Sequence, residues 1–522
     1  MSTGEPRPGV VEGTNNRDAS ETGSMEELTV SPEGARRRSA STPSEGPGGR
    51  FFGHPRGLLT LAGLQMWERF SFYGLLVVLA YYLYYSLTDG GLGLATPVAV
   101  AITGSYGGAV YAVQMLGAWI ADRLVPARTV ALCGGLLIMC GHIMLALVPG
   151  TAGLVAGLIL IMVGTGGLAV NATAMVGNLY SKNDLRRDSG YSIYYMGITV
   201  GAFLGPLVTG GLQVEAGFHV AFGAAAVGMT IGIVQYIFGW KSLPSATKEI
   251  PNPLPKSKRL PALAIALLVL ATIGLAVAAC LITLENVSSI ITAFIIVASV
   301  AYFAVILSSR SIDGKERRQV IAYIPIFLGT LLFWALLLQL ATTMAVYMDT
   351  RVDLSLGTFT IPPAWIITSS SIFVAILAPV FAVVWARLGS RQPGAYTKIA
   401  IGIVVLGIGY AVFATGSGTE GSANSALIAL LGMFIFAVGE IIVAPVAIST
   451  TTRLAPLAYK NQMMALYFLT MAGGSTLAGF LGAKYSPAQE LLFFGGTAVA
   501  AVVIAVALIL AGKIVGRSIR TN

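Results

Sequence analysis

The chain has 522 residues, 55% of them hydrophobic and 11% charged, with 62 glycines and a mean hydropathy of +0.79. Soluble globular chains carry about 25% charged residues, so the composition excludes a water-soluble enzyme and describes a membrane protein. The formal charge is +9, yet residues 1–50 hold eight acidic and six basic side chains, so the positive excess lies in the apolar remainder, where it reads as membrane topology and not as a nucleic-acid surface.

Residues 1–50 are built from Ser, Gly, Pro, Glu and Arg, with too little apolar surface to offset the entropy of ordering. Residues 1–56 are therefore expected to form a disordered cytoplasmic tail. Apolar runs long enough to cross ~30 Å of hydrocarbon as helices of about 20 residues follow at 57–87, 94–121, 129–148, 152–180, 190–214 and 218–240. Two more lie at 261–284 and 288–308, and six at 319–347, 361–387, 396–415, 424–452, 461–485 and 489–512. Fourteen spans are predicted. A six-helix half (57–240) precedes a segment of linkers with two extra spans (241–318), a second six-helix half (319–513) and a short tail (514–522). The extra pair carries no charge between Leu260 and Glu285 and reads as a lipid-facing addition.

Alternate loops collect the bases, among them Arg123, Arg128, Lys182, Arg186, Arg187, Arg317, Arg318, Arg387, Arg391, Arg453 and Lys460. The opposite loops hold Asp89, Glu215, Glu285, Asp349, Asp353, Glu420 and Glu490, with Arg351 and Lys484 as their only bases. By the positive-inside rule both termini are cytoplasmic in a multi-pass plasma-membrane protein. Two six-helix halves around a central site are the architecture of many secondary carriers.

A charge at mid-bilayer costs a few kcal/mol or more, and few remain here. The first span carries Glu68 and Arg69 in QMWERFSFYG, with Tyr73 one turn beyond Arg69. The tenth helix of the two halves carries Glu440 in AVGEIIVAPVAIS. Neighbours on a helix diverge by about 100°, so Glu68 and Arg69 do not easily satisfy one another face to face; each is expected to need a neighbour or a water-filled cavity, with a buried ion pair that only ties helices together as the alternative. Together with Glu440 they are expected to border an aqueous chamber. His142 reads as a satisfied packing histidine. Gly164, Gly166, Gly167, Gly201 and Gly205 read as close-packing positions. The three cysteines and three histidines offer no metal-ligand spacing, so neither a metal nor a cofactor is expected.

QMWERFSFYG resembles the first-helix Glu-x-x-Glu-Arg-Phe-x-Tyr-Tyr motif of the proton-dependent oligopeptide transporter family, within the major facilitator superfamily. The segments GAWIADR (117–123), GTGGLAVNATAMVGNLY (164–180), YYMGITVGAFLGP (194–206) and GEIIVAPVAISTTTRLAP (439–456) match further motifs in family order. The resemblance implies an all-α major facilitator fold with two six-helix bundles plus two inserted helices. It implies a solute site of Arg69, Tyr73, Tyr111, Asn171, Thr199, Ser370 and Glu440, proton coupling through Glu68 and Glu440, and gating by Asp122 and Arg123.

Three charges usual in that family are absent: Gln65, Ala169 and Leu338 stand at their positions, and Thr199 and Ser370 replace two Asn. Stranding one member of a buried charge cluster costs roughly 3–5 kcal/mol, whereas neutralising a whole cluster can be nearly free, so the joint absence reads as a rebuilt site. The expectation is a carrier of short peptides or peptide-like solutes with protons, lipid-embedded and sufficient as a monomer. An exporter of drug-like compounds or a non-transporting membrane sensor or scaffold are the competing readings.

Overall fold

The structure, a computed structural model, describes residues 50–51, 53–181, 184, 186–416 and 424–520. The expected tail at 1–49, together with Lys182 and Glu420, lies outside the described residues.

Long apolar runs can satisfy their backbone in lipid only as helices, and fourteen long ones form among the described residues. The first half comprises α1 (Arg56–Tyr84), α2 (Thr96–Arg123), α3 (Ala127–Leu147), α4 (Gly150–Gly177), α5 (Arg187–Ala216) and α6 (Phe218–Gly239). The inserted pair is α7 (Lys256–Ala278) and α8 (Val287–Ser308). The second half comprises α9 (Gly314–Leu337) with the short α10 (Thr343–Arg351), then α11 (Pro363–Leu388), α12 (Ala395–Thr415), α13 (Ala426–Leu454), α14 (Lys460–Gly482) and α15 (Glu490–Arg520). Among the described residues thirteen helices are long and apolar enough to cross a membrane on length and hydropathy alone. The remaining long helix, α1, is the one that carries Glu68 and Arg69.

Local chemistry sets the boundaries. Prolines stand just before α3, α4, α7 and α11, where a fixed φ and a missing N–H cost a helix start nothing. Gly217, at φ +87°, takes a backbone that side chains disfavour and turns α5 directly into α6. Asp313 and Glu316 close a reciprocal capping box at the start of α9, the Glu316 amide donating to Asp313 Oδ1 at 2.6 Å, a cap worth about 1 kcal/mol.

Four expectations change. The run at 319–347 is not one helix: α9 ends in a 3-10 turn (Leu338–Ala341) before α10 begins. Thr342 and Thr343 pin the break, Thr342 Oγ1 donating to Ala478 O at 3.3 Å and Thr343 Oγ1 to Gln339 Oε1 at 2.8 Å. The tail predicted at 514–522 continues α15 through Arg520. Of the inserted pair, α7 is exposed to its surroundings, but α8 buries Ile295, Ser299 and Ile306 against α2, α9 and α14. His142 is fully buried, yet neither ring nitrogen finds a hydrogen-bond partner among the described residues, so it is not the satisfied packing residue expected.

The glycines act as expected, through van der Waals contact of close backbones. A Cβ on Gly201 or Gly205 would lie 2.1 or 2.2 Å from the Met66 or Phe70 carbonyl oxygen of α1, and one on Gly164 2.5 Å from Gly134 O of α3.

The halves meet at the end where the acidic loops lie. There Tyr84 and Tyr85 of the first half both donate to the Asp349 carboxylate, at 2.5 and 2.7 Å. Trp365 Nε1 of α11 donates to Leu207 O of α5 at 2.8 Å, and Ser475 Oγ of α14 to Gly104 O of α2 at 2.8 Å. A Cβ on Gly104 would come within 2.5 Å of Gly479. Toward the basic loops a cavity of about 450 Å3 separates α2 and α4 from α14.

Candidate functional site

A cavity of about 160 Å3 lies between the bundles. Stripes at helical spacing line it: Tyr73, Leu76 and Val77 on α1; Tyr195, Ile198, Thr199, Ala202 and Pro206 on α5; Trp334, Leu337, Leu338 and Ala341 where α9 breaks; Ile367, Ser370, Ser371 and Val374 on α11. Tyr111, Glu440 and Met471 complete the wall from α2, α13 and α14. Five of the seven solute-site residues named from sequence, Tyr73, Tyr111, Thr199, Ser370 and Glu440, are thus brought together.

Glu440 is the only wall residue with a formal charge. Among the described residues no ion pair reaches it. The Tyr73, Tyr111 and Tyr195 phenols share the wall with it. A lone carboxylate at this depth persists only where water or a cation can meet it. Thr199 Oγ1 donates to Tyr195 O at 3.1 Å and Ser370 Oγ to Ile367 O at 2.9 Å, so both hydroxyls spend their proton on their own helix and keep lone pairs free as acceptors.

Glu68 and Arg69 do not border this chamber. Glu68 is 0% and Arg69 8% exposed, and the Arg69 guanidinium carbon lies 5.9 Å from the Tyr73 ring centre and 5.4 Å from that of Phe72. The alternative of a buried ion pair holds here: they pair with each other, Arg69 Nε 2.7 Å from Glu68 Oε2. The long arginine stem bends the head back across the angle between neighbours, and the weakly screened attraction of opposite charges away from water favours it.

Neutral groups extend this network. Gln65 Nε2 donates to Glu68 Oε2 at 2.7 Å, and the Tyr194 hydroxyl donates to Gln65 Oε1 at 2.8 Å. Thr173 Oγ1 lies 3.0 Å from that hydroxyl and donates to Ala169 O at 2.9 Å. Leu338 instead forms part of the apolar wall.

Asn171 is not brought to the chamber. Its amide donates to Gly117 O at 3.1 Å and Gly167 O at 2.7 Å, which ties α4 to α2 beside the larger cavity. Asp122 and Arg123, 3.6 Å apart, line that same cavity with Glu249. The linker is fastened to them, since Asn252 N donates to Asp122 O at 3.0 Å and Leu254 N to Arg123 O at 2.9 Å.

Sequence reasoning missed Tyr194, Tyr195 and Trp334. The signal for Tyr195 was the i, i+4, i+7, i+11 stripe Tyr195, Thr199, Ala202, Pro206, which marks one helix face. Trp334 Nε1 is buried without a partner among the described residues.

The POT family profile matches residues 128–492. The chain belongs to the POT family. A di-/tripeptide transporter of Lactococcus lactis subsp. cremoris is 36% identical, the match covering 89% of this chain and 96% of that protein. The crystal structure of a mutant peptide transporter POT in complex with alafosfalin is 40% identical with a TM-score of 0.86, covering 90% of this chain and 97% of that one. A POT family transporter in complex with 5-aminolevulinic acid is 30% identical with a TM-score of 0.85, covering 90% and 98%. The POT-family chain is therefore a multi-pass membrane transporter with the major facilitator fold, two six-helix bundles and two inserted helices, and not an enzyme.

Proposed function

We propose that the chain carries short peptides or peptide-like solutes into the cell together with protons, residues 57–240 and 319–513 rocking about the chamber. The observation that carries this reading is Glu440, an unpaired carboxylate on the wall of a cavity between two bundles. In the di-/tripeptide transporters that resemble this chain the solute supplies an amine, the natural partner for such a group. Glu68 and Glu440 are the acids placed to bind and release the coupled proton, and Arg69 the cation that Glu68 restrains. Asp122 and Arg123 would act at the mouth of the larger cavity.

With the basic loops cytoplasmic, both termini lie inside the plasma membrane and the structure is the inward-facing state, closed outside by Asp349, Trp365 and Ser475. Uptake of labelled dialanine into proteoliposomes is expected to rise severalfold under an acid-outside gradient. Equal uptake with and without the gradient would rule out symport. Gly104→Leu, which sets a side chain where Gly479 now packs, is expected to cut uptake at least tenfold while the purified protein stays monodisperse. Undiminished uptake would show that the outer faces need not meet.

A further inference from the structure

We infer that the cavity of about 450 Å3 at the basic end is a second solute site, which holds a short peptide by its backbone amides and keeps the carrier inward-facing while it is occupied. This rests on the carrier reading and adds to it a station separate from the chamber beside Glu440.

Amide side chains from both halves border this cavity: Gln114 on α2, Asn171 and Asn178 at the inner end of α4, and Asn461 and Gln462 on α14. Asn171 is spent on two backbone carbonyls. Gln114 is not: it is 4% exposed, yet its amide makes no hydrogen bond with any described residue and its polar atoms stay open to the cavity. Buried amides are nearly always paired, so one left open deep in a wall marks a place where water or a solute supplies the partner. A carboxamide donates and accepts at once. A residue in extended conformation presents its own N–H and C=O on one side, as in an antiparallel ladder, and answers both.

The dimensions agree. Gln114 and Asp122 lie on one helix about 12 Å apart along its axis, and an extended di- or tripeptide spans at most about 7–11 Å. The cavity volume of about 450 Å3 falls within the roughly 300–1,000 Å3 of small-molecule sites. The Trp119, Tyr302 and Phe468 rings, with Met115 and Met464, line the same space and offer apolar contact to solute side chains. The charged residues of this wall are Asp122, Arg123 and Glu249. The first two already face each other at 3.6 Å, so recognition falls on the amides, and a peptide blocked at both ends retains it. At their outer ends α2 and α14 touch, Ser475 Oγ donating to Gly104 O at 2.8 Å. Rocking the halves to open that end brings the walls of the cavity together, and a peptide between them acts as a wedge. Solute that accumulates inside the cell therefore slows its own further uptake.

The test uses the full chain in proteoliposomes and one probe, N-acetyl-benzoylphenylalanyl-alaninamide, blocked at both ends so that it brings no ammonium group to Glu440. On irradiation its benzophenone ketone inserts into a nearby C–H bond, most readily that of a methionine. Peptide mapping is expected to find the adduct on Met115 or Met464, and Gln114→Leu, still monodisperse, to lower that labelling at least fivefold. Loaded inside the vesicles, the probe should lower the maximal rate of dialanine uptake at least twofold without changing KM for external dialanine, and this inhibition should be lost in Gln114→Leu. Labelling away from this cavity, as at Met471 of the chamber, overturns the inference. So does labelling that Gln114→Leu leaves intact, an absence of labelling, or uptake that the internal probe does not slow. If dialanine is carried and the cavity is not labelled, the carrier reading stands without the second site. If the cavity is labelled and no dialanine is carried, the site stands and the peptide-carrier reading fails.

Discussion

Arg69→Met is expected to destabilise the protein by about 3–5 kcal/mol, because it leaves Glu68 charged without a partner in a fully buried site. Glu68 is 0% exposed, and besides Arg69 its side-chain oxygens are offered only neutral groups such as the Gln65 amide. The double variant Glu68→Gln, Arg69→Met should recover most of the loss, since an apolar or neutral replacement of a whole buried pair is often neutral or stabilising. Thermal unfolding in detergent reads the difference. Both variants should fail to concentrate dialanine, because the pair that responds to protonation is gone. A single variant as stable as the parent would mean that water reaches Glu68 and that the pair is not the buried unit described above.

Asp349→Ala should release the outer closure. Two phenols from the first half, Tyr84 and Tyr85, donate to this one carboxylate of the second half, and a hydrogen bond to a charged group contributes about 1.5–3 kcal/mol. Their loss is expected to move the balance toward the outward-open state at least about tenfold. Spin labels at Leu87 and Leu356, 77% and 64% exposed on opposite sides of this seam, report it once Cys133, Cys140 and Cys280 are replaced. The distance distribution should lengthen in Asp349→Ala, and uptake should slow severalfold, since a carrier held open on one side returns slowly. An unchanged distribution would show that the glycine contact of α2 with α14 closes this face without the carboxylate.

The helices were legible in the sequence because an apolar run of membrane length has one way to satisfy its backbone in lipid. The break at Leu338–Ala341 was not, because the apolar run passes through it and the cause is tertiary, two threonines anchored on α14 and on Gln339. The rotation of each helix was equally hidden. Spans that are apolar nearly all round give no inward stripe, so Tyr194 and Tyr195 looked alike although one bonds Gln65 and the other faces the chamber. Glu440 could be found because a lone acid in an apolar run has few reasons to exist. The pairing of Glu68 with Arg69 stood only as the alternative, since the spacing of two residues on a helix does not say how far a long side chain bends. Asn171 sits inside a matching motif, yet its amide is committed to two backbone carbonyls, a commitment that only the approach of α2 to α4 reveals.

The most direct measurement is gradient-driven dialanine uptake by Glu440→Gln beside the parent protein, both shown to be folded and equally reconstituted. The account predicts that the variant loses at least tenfold of its uptake, because the amine has lost the only charge on the chamber wall. Uptake by Glu440→Gln equal to that of the parent would contradict it.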